Sequence, residues 1–253
     1  MIDKEISNLK TIDTLIRQEQ PFAVYRIPGE DTPRLLTQAS GSVRLLYDLK
    51  DLDGARGFVI APFRASESCP IVLIQPEQWG QPLPLGEYAE EELEAFRLRQ
   101  GRETFSEACT EEYEACFRTF IEALRSKQFD KLVLSRKSVI GQCPGFSPSA
   151  VFRAAYKHYI HSYIYLCYTP RTGVWMGSTP EIILSGEKNE WSTVALAGTQ
   201  PLQDGRLPQE WGEKNRQEQD YVASYIRRQL LSSGIHPTES GPYPAYAGAL
   251  SHL

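Results

Sequence analysis

The chain has 253 residues, of which 41% are apolar and 23% are charged, and its 32 acidic and 27 basic side chains give a formal net charge of −5. This composition is typical of a globular protein with one large domain or two small ones. The mild acidity excludes an electrostatic attraction to nucleic acid or to an anionic membrane surface, so an anionic substrate would need a few placed cations or a bound metal ion.

The cysteines and the N-terminus predict a cytoplasmic protein. The five cysteines are odd in number and no two have C-x-x-C spacing, which argues against a disulfide framework or a zinc site. The N-terminus lacks the basic segment and apolar run of a signal peptide. No apolar stretch approaches the roughly 20 residues that a membrane helix needs. We therefore expect no membrane span and a reduced environment.

Strand-like segments punctuated by a turn occupy the first part of the chain. Residues 22–27 and 57–61 are rich in β-branched and aromatic side chains, which predicts strands. The prolines and the glycine of 82–86 predict a turn. The charged stretch 87–107 then predicts a solvated helix or a connector.

Three helices follow, with strands between them. The clearest helix starts near Thr110, has acidic residues in its first turn, and repeats apolar side chains at helical spacing as far as Leu124. Ser147 and Pro148 open a second helix, because proline is favoured at the first helical position. Residues 212–231 predict a third. Strands are predicted at 132–140, 162–168, 174–177 and 191–196. This order favours an α+β fold over a strictly alternating α/β fold.

Two charged residues adjoin apolar segments. Lys131 opens an apolar strand, where it is either a solvated strand end or a desolvated lysine that can act as a base. Glu181 follows a turn at 177–180 and precedes an apolar run, where it is either a surface glutamate or a carboxyl group that can act as an acid.

Two further segments suggest a site for an anion and a cation. Gly198 and Thr199 follow a strand, where they form either an ordinary turn or a backbone cradle for an oxyanion. Glu218 lies on the apolar stripe of the long helix, which turns its carboxylate toward the core. The other residues predicted on this stripe are Tyr221, Val222, Tyr225, Ile226 and Leu230. Such a carboxylate needs a cation, for which Mg²⁺, an Arg or a Lys would serve, unless it is exposed near the helix N-terminus.

The order and spacing of these segments resemble the chorismate-binding enzymes, which include isochorismate, salicylate, anthranilate and aminodeoxychorismate synthases. Thr179 stands where the family usually has serine, and Gln219 where it often has histidine. The resemblance covers Lys131 to Leu253, and the region before about residue 105 contributes little. The matching landmarks are 131–136 (K-V-V-L-(A/S)-R), 177–181 (G-(A/S)-S-P-E), 196–199 (L-A-G-T), 214–218 (K-x-x-x-E) and 251–253 (x-H-L).

Two positions separate the branches of this family. Members that add ammonia usually carry glutamine in place of Lys131, whereas members that add water carry lysine, since water needs a base. Aminodeoxychorismate synthases tend to have a nucleophilic lysine in place of Ala197, and an alanine cannot form that adduct. The resemblance therefore implies an isochorismate synthase, with a salicylate synthase or a non-catalytic module as alternatives. The product could feed menaquinone or siderophore synthesis.

The resemblance also implies a role for each residue. Lys131 acts as the base toward water and Glu181 as the acid toward the departing hydroxyl group. Glu218 binds Mg²⁺, and the substrate chorismate is bound by Ala197, Gly198, Thr199 and His252. The implied fold is α+β with two packed, mostly antiparallel sheets and surrounding helices. Residues 1–105 would form its variable part and 106–253 the first portion of the catalytic region. Because relatives continue past Leu253, we expect a fold incomplete at the C-terminus, with little activity by itself, and no obligate protein partner.

Overall fold

The computed structural model describes residues 11–77, 79–84, 107–137, 139, 141, 145–247 and 250–253. The chain divides into two compact units, the first formed by Met1–Glu87 with Ser147–Leu253 and the second by Tyr88–Phe146. The described helices are α1 Thr11–Arg17, α2 Glu107–Arg125, α3 Pro148–His158 and α4 Glu213–Ser232, together with a short 3-10 helix at Leu49–Leu52. The predicted division at residues 105 and 106 stays a prediction.

The described strands form four antiparallel sheets, all in the first unit. The largest has five strands in the order β6-β2-β1-β7-β8, and three-stranded sheets have the orders β3-β5-β4 and β11-β13-β12. A hairpin of β9 and β10 forms the fourth. The strands are β1 Phe22–Arg26, β2 Arg34–Thr37, β3 Arg44–Leu46, β4 Phe58–Ile60, β5 Ile71–Ile74, β6 Gln81–Pro82, β7 Tyr163–Thr169, β8 Gly173–Thr179, β9 Ser185–Glu187, β10 Glu190–Ser192, β11 Thr199–Pro201, β12 Ala245–Ala247 and β13 Leu250–His252.

Part of the core of the first unit lies between the five-stranded sheet and the β3-β5-β4 sheet. Strand β1 is buried along most of its length, and Ala23 on β1 lies opposite Cys167 on β7. Both pack with Ile74 of β5, so the β3-β5-β4 sheet covers one face of the five-stranded sheet. Alternate side chains of a strand point to opposite faces, which lets one apolar strand serve two packing layers.

Helices α1 and α3 are tied together beside the sheet by one carboxylate. Asp13 of α1 accepts hydrogen bonds from the Ser147 hydroxyl (2.5 Å), the Ser149 backbone N–H (3.0 Å) and the Ser149 hydroxyl (2.8 Å). The Ser147 side chain also accepts from the Ala150 N–H, which makes it the N-cap of α3. The predicted start of this helix at Ser147 and Pro148 is confirmed.

Most of the predicted elements are present, and the predicted α+β class with packed antiparallel sheets is confirmed. The helices predicted near Thr110 and at 212–231 are α2 and α4, and the strands predicted at 162–168 and 174–177 are β7 and β8. Residues 87–106 lie outside the described part of the chain. None of the helices in the described ranges is both long and apolar enough to cross a membrane.

One predicted strand is wrong, and another is shorter than predicted. Residues 131–137 form no strand, and Val133 is 80% exposed. None of the described residues of the second unit forms a strand. The segment predicted at 191–196 is a strand only at Glu190–Ser192, where it closes a hairpin with β9. The chain then runs irregularly until β11 begins at Thr199.

Candidate functional site

The β11-β13-β12 sheet and the start of α4 form the candidate site. Thr199 on β11 lies opposite His252 on β13. The Leu253 backbone N–H donates a shared hydrogen bond to the carbonyl oxygens of Ala197 (N to O 3.2 Å) and Gly198 (3.3 Å). These contacts join the 197–199 turn to the strand that carries His252, so two segments about fifty positions apart in the sequence become neighbours.

Gly198 also brings the 197–199 turn against helix α4. Its φ of +72° is a backbone conformation that favours glycine, and a Cβ atom at this position would lie 2.6 Å from the Asn215 carbonyl oxygen. Asn215 lies in the first turn of α4. Glycine is therefore required at position 198 because the turn packs closely against the backbone of the helix. The sequence predicts a close approach to this glycine by a ligand, and the structure shows a close approach by the protein's own helix α4.

Glu218 lies one turn further along α4 and is partly buried. The side chains at four-residue steps from it, Val222, Ile226 and Leu230, are partly buried as well, so the predicted stripe is present. The buried stripe of α4 is narrower than predicted, because Tyr221 and Tyr225, which the prediction includes, are 49% and 56% exposed. The buried side of α4 therefore follows the line of four-residue steps from Glu218.

The charge of Glu218 acts on the His252 imidazole. Burial lowers the pKa of the His252 imidazole, and the nearby negative charge of Glu218 partly opposes that shift. The Nδ1 atom of His252 is buried and has no hydrogen-bond partner within the described ranges. A neutral imidazole with a buried nitrogen beside a carboxylate is suited to a polar ligand.

Lys131 and Glu181 lie in different units of the chain. Lys131 lies in the second unit, in the irregular segment 131–137, and is exposed. Glu181 lies in the first unit just after β8 and is also exposed. Its backbone N–H donates a hydrogen bond to the Thr179 hydroxyl (3.1 Å), which fixes the direction of the chain as it leaves the strand. The roles of both residues in catalysis stay predictions.

Glycine on β8 gives room to an aromatic side chain of the neighbouring strand. Tyr165 on β7 lies opposite Gly177 on β8, and a Cβ atom on Gly177 would lie 2.5 Å from the Tyr165 ring. The ring also contacts Phe58 and Tyr163, with centroids 6.2 Å and 6.1 Å away. The glycine of the 177–181 landmark is thus explained by packing.

The magnesium ion that the family resemblance implies stays a prediction. Within the described ranges, no three His, Cys, Asp or Glu side chains come together to hold a metal ion. Glu218 offers a single partly buried carboxylate. Mg²⁺ commonly binds one or two carboxylates and completes its octahedral shell with water and substrate oxygens. Glu218 therefore suits Mg²⁺ that arrives with an anionic substrate.

Sequence reasoning missed the contribution of Asn215. Its backbone contact with Gly198 holds the turn against α4, yet nothing in the K-x-x-x-E pattern distinguishes the asparagine. Only the glycine signals that some backbone must approach at this point.

The chain matches the model of a known protein family. A family model described as chorismate binding enzyme matches residues 79–252, which is more than half of the chain. The match begins well before Lys131, so it extends beyond the landmarks that carry the resemblance. It includes the 197–199 turn, Glu218 and His252. No curated protein matches the chain.

Proposed function

Since the chain belongs to the chorismate-binding enzyme family, we propose that it is an isomerase, an isochorismate synthase that converts chorismate to isochorismate with the help of Mg²⁺. The observation that carries this proposal is the meeting of the 197–199 turn, His252 and Glu218 in the first unit. A backbone cradle, a half-buried imidazole and one carboxylate suit a small anionic ligand with its metal ion.

The proposed reaction exchanges one hydroxyl group for another. Lys131 removes a proton from water, whose oxygen forms a bond to ring carbon C2 of chorismate. Glu181 gives a proton to the C4 hydroxyl group, which leaves as water while the ring double bonds shift. A lysine at position 131 favours water as the nucleophile, because water needs a base and ammonia does not.

The other residues bind and orient the substrate. Thr199 and the backbone of Gly198 would donate hydrogen bonds to the ring carboxylate, with His252 beside the ring. Glu218 would hold Mg²⁺, which when bound neutralises that carboxylate. Ala197 is buried, with 4% of its surface exposed, and it carries no amine with which to form a covalent adduct.

Ligand-dependent heat stabilisation and product analysis test this proposal together. We expect chorismate and Mg²⁺ together, but neither alone, to raise the melting temperature, because a ligand at a hundred times its Kd stabilises the folded state by about 2.7 kcal/mol. Any turnover should give isochorismate. Salicylate formed without an added lyase would identify a salicylate synthase instead. Stabilisation without any product would favour a non-catalytic module. The absence of both stabilisation and product would refute the proposal.

Replacing Glu218 with glutamine is expected to raise the Mg²⁺ concentration needed for stabilisation by chorismate at least about tenfold, since Mg²⁺ prefers a charged carboxylate oxygen over an amide. The measurement is a Mg²⁺ titration of the melting temperature at fixed chorismate. Glu213→Gln is the matched control, because Glu213 is an exposed glutamate in the first turn of the same helix. An identical titration for both variants would remove Glu218 from the metal site.

A further inference from the structure

The sheet of β11, β13 and β12 carries site residues on one of its two faces. Side chains that are paired across antiparallel strands share a face, and successive side chains along a strand alternate between the faces. The row with the site residues runs across the three strands as Thr199, His252 and Ala245. The next row lies on the opposite face and consists of Gln200, Ser251 and Tyr246. Tyr246 therefore lies on the back of the site's sheet.

His161 contacts this back face through a ring stack. Its imidazole lies on the Tyr246 ring, with the ring centroids 4.5 Å apart and the planes 15° from parallel. Tyr246 is the middle residue of β12, and among the described strands only β13 pairs with β12. A near-parallel aromatic pair stabilises a fold beyond the effect of the area that it buries. The stack therefore attaches the outer strand of the site's sheet to the turn between α3 and β7.

The turn that carries His161 is held from the core of the first unit. The Ser162 backbone N–H donates a hydrogen bond to the Tyr159 carbonyl oxygen (3.1 Å), which closes the turn. The buried guanidinium group of Arg26 donates hydrogen bonds to the carbonyl oxygens of the same two residues, Tyr159 (2.5 Å) and Ser162 (3.0 Å). His161 lies between them, so its backbone is fixed to the end of β1. It can therefore act as a firm support for β12.

We propose that His161 is a positioning residue for the chorismate site. Its ring holds β12 in place and, through the pairing of β12 with β13, keeps His252 beside Thr199. Because His161 acts from the back of the sheet, it supports the site without touching the substrate. This role rests on the proposed function, since it affects binding only if chorismate lies beside His252. Displacing a site group by about 1 Å can lower activity about a hundredfold, so the support of a strand matters to the site.

Three variants separate the ring contact from other effects. His161→Ala removes the stack, and His161→Phe keeps an aromatic ring of similar shape on Tyr246. His158→Ala is the matched control, because His158 is a nearby exposed histidine whose ring packs edge-on against Tyr159, with centroids 4.6 Å apart. The melting temperatures establish that all three variants are folded.

Hydrogen exchange without ligand tests whether His161 holds the sheet. We expect His161→Ala to speed amide exchange in β12 and β13 about fivefold, because local opening of these strands no longer has to break the stack. The amides of β1 and β7 should exchange as they do in the unmodified chain. His161→Phe should restore slow exchange, and His158→Ala should leave it unchanged. Unchanged exchange in His161→Ala, or no rescue by phenylalanine, would overturn the proposal.

Chorismate binding at saturating Mg²⁺ tests whether this support serves the site. His161→Ala should raise the Kd for chorismate about fivefold, whereas His161→Phe and His158→Ala should match the unmodified chain. Faster exchange with an unchanged Kd would make His161 a packing residue only and would overturn the proposal. An unmodified chain that binds no chorismate would refute the proposed function, and the exchange rates would then decide by themselves whether His161 holds the sheet.

Discussion

Replacing Gly198 with alanine is expected to lower the free energy of unfolding by about 3 kcal/mol or more, and to remove the stabilisation that chorismate and Mg²⁺ provide together. The alanine must adopt a φ near +72°, and its Cβ atom would lie 2.6 Å from the Asn215 carbonyl oxygen. Because that neighbour is helix backbone, relief requires the turn and α4 to move apart. Such a movement would separate Thr199 from Glu218. Urea unfolding and ligand-dependent melting measure the two effects.

Gly205→Ala is the matched control for this experiment. Gly205 has nearly the same backbone conformation, with a φ of +73°, but nothing lies within 4 Å of a Cβ atom placed on it. Its replacement should therefore cost only the conformational penalty of about 1 kcal/mol and leave ligand binding intact. Equal effects for the two variants would show that contact with Asn215 is unimportant, and would remove the main argument for the close packing of the 197–199 turn on α4.

The sequence predicts the local parts of this site well, because they follow from short-range rules. A glycine after a strand indicates close backbone approach, and four-residue steps from Glu218 correctly place its carboxylate on the more buried side of α4. The pairing of Thr199 with His252 is different. It joins β11 to a strand near the end of the described chain, and no periodicity in either segment specifies that register. Only the resemblance to the family indicates that these two segments belong to one site.

The irregular segment 131–137 shows where prediction from a local sequence pattern fails. Its run of three apolar residues at 132–134 is typical of a strand, yet Val133 is 80% exposed and residues 131–137 form no strand. A strand is stable only with a partner, and sequence pattern indicates a preference without supplying that partner. A helix such as α2 satisfies its hydrogen bonds within itself, which is why its prediction from local periodicity succeeded.

Arg26 is a second residue that sequence reasoning missed. It ends an apolar strand, where an arginine normally reaches solvent, but it is only 3% exposed. Its guanidinium group donates hydrogen bonds to the carbonyl oxygens of Tyr156 (3.2 Å), Tyr159 (2.5 Å) and Ser162 (3.0 Å) and lies 4.8 Å from the centre of the Tyr156 ring. These acceptors surround the C-terminal end of α3, whose partial negative charge favours a cation. They lie more than a hundred residues away in sequence, so no local signal could indicate them.

Replacing Arg26 with methionine is therefore expected to lower the free energy of unfolding by about 3 kcal/mol, since each buried carbonyl group that is left without a donor costs about 1–3 kcal/mol. Methionine keeps an apolar chain in the core but donates no hydrogen bond to the carbonyl groups at the end of α3. Arg34→Met is the control, because Arg34 on the neighbouring strand is exposed and pairs with Glu30 in solvent, so its loss should cost under about 1 kcal/mol. Similar unfolding curves for the two variants would contradict this expectation. They would show that Arg26 at the C-terminal end of α3 contributes no more to the free energy of unfolding than the exposed Arg34 does.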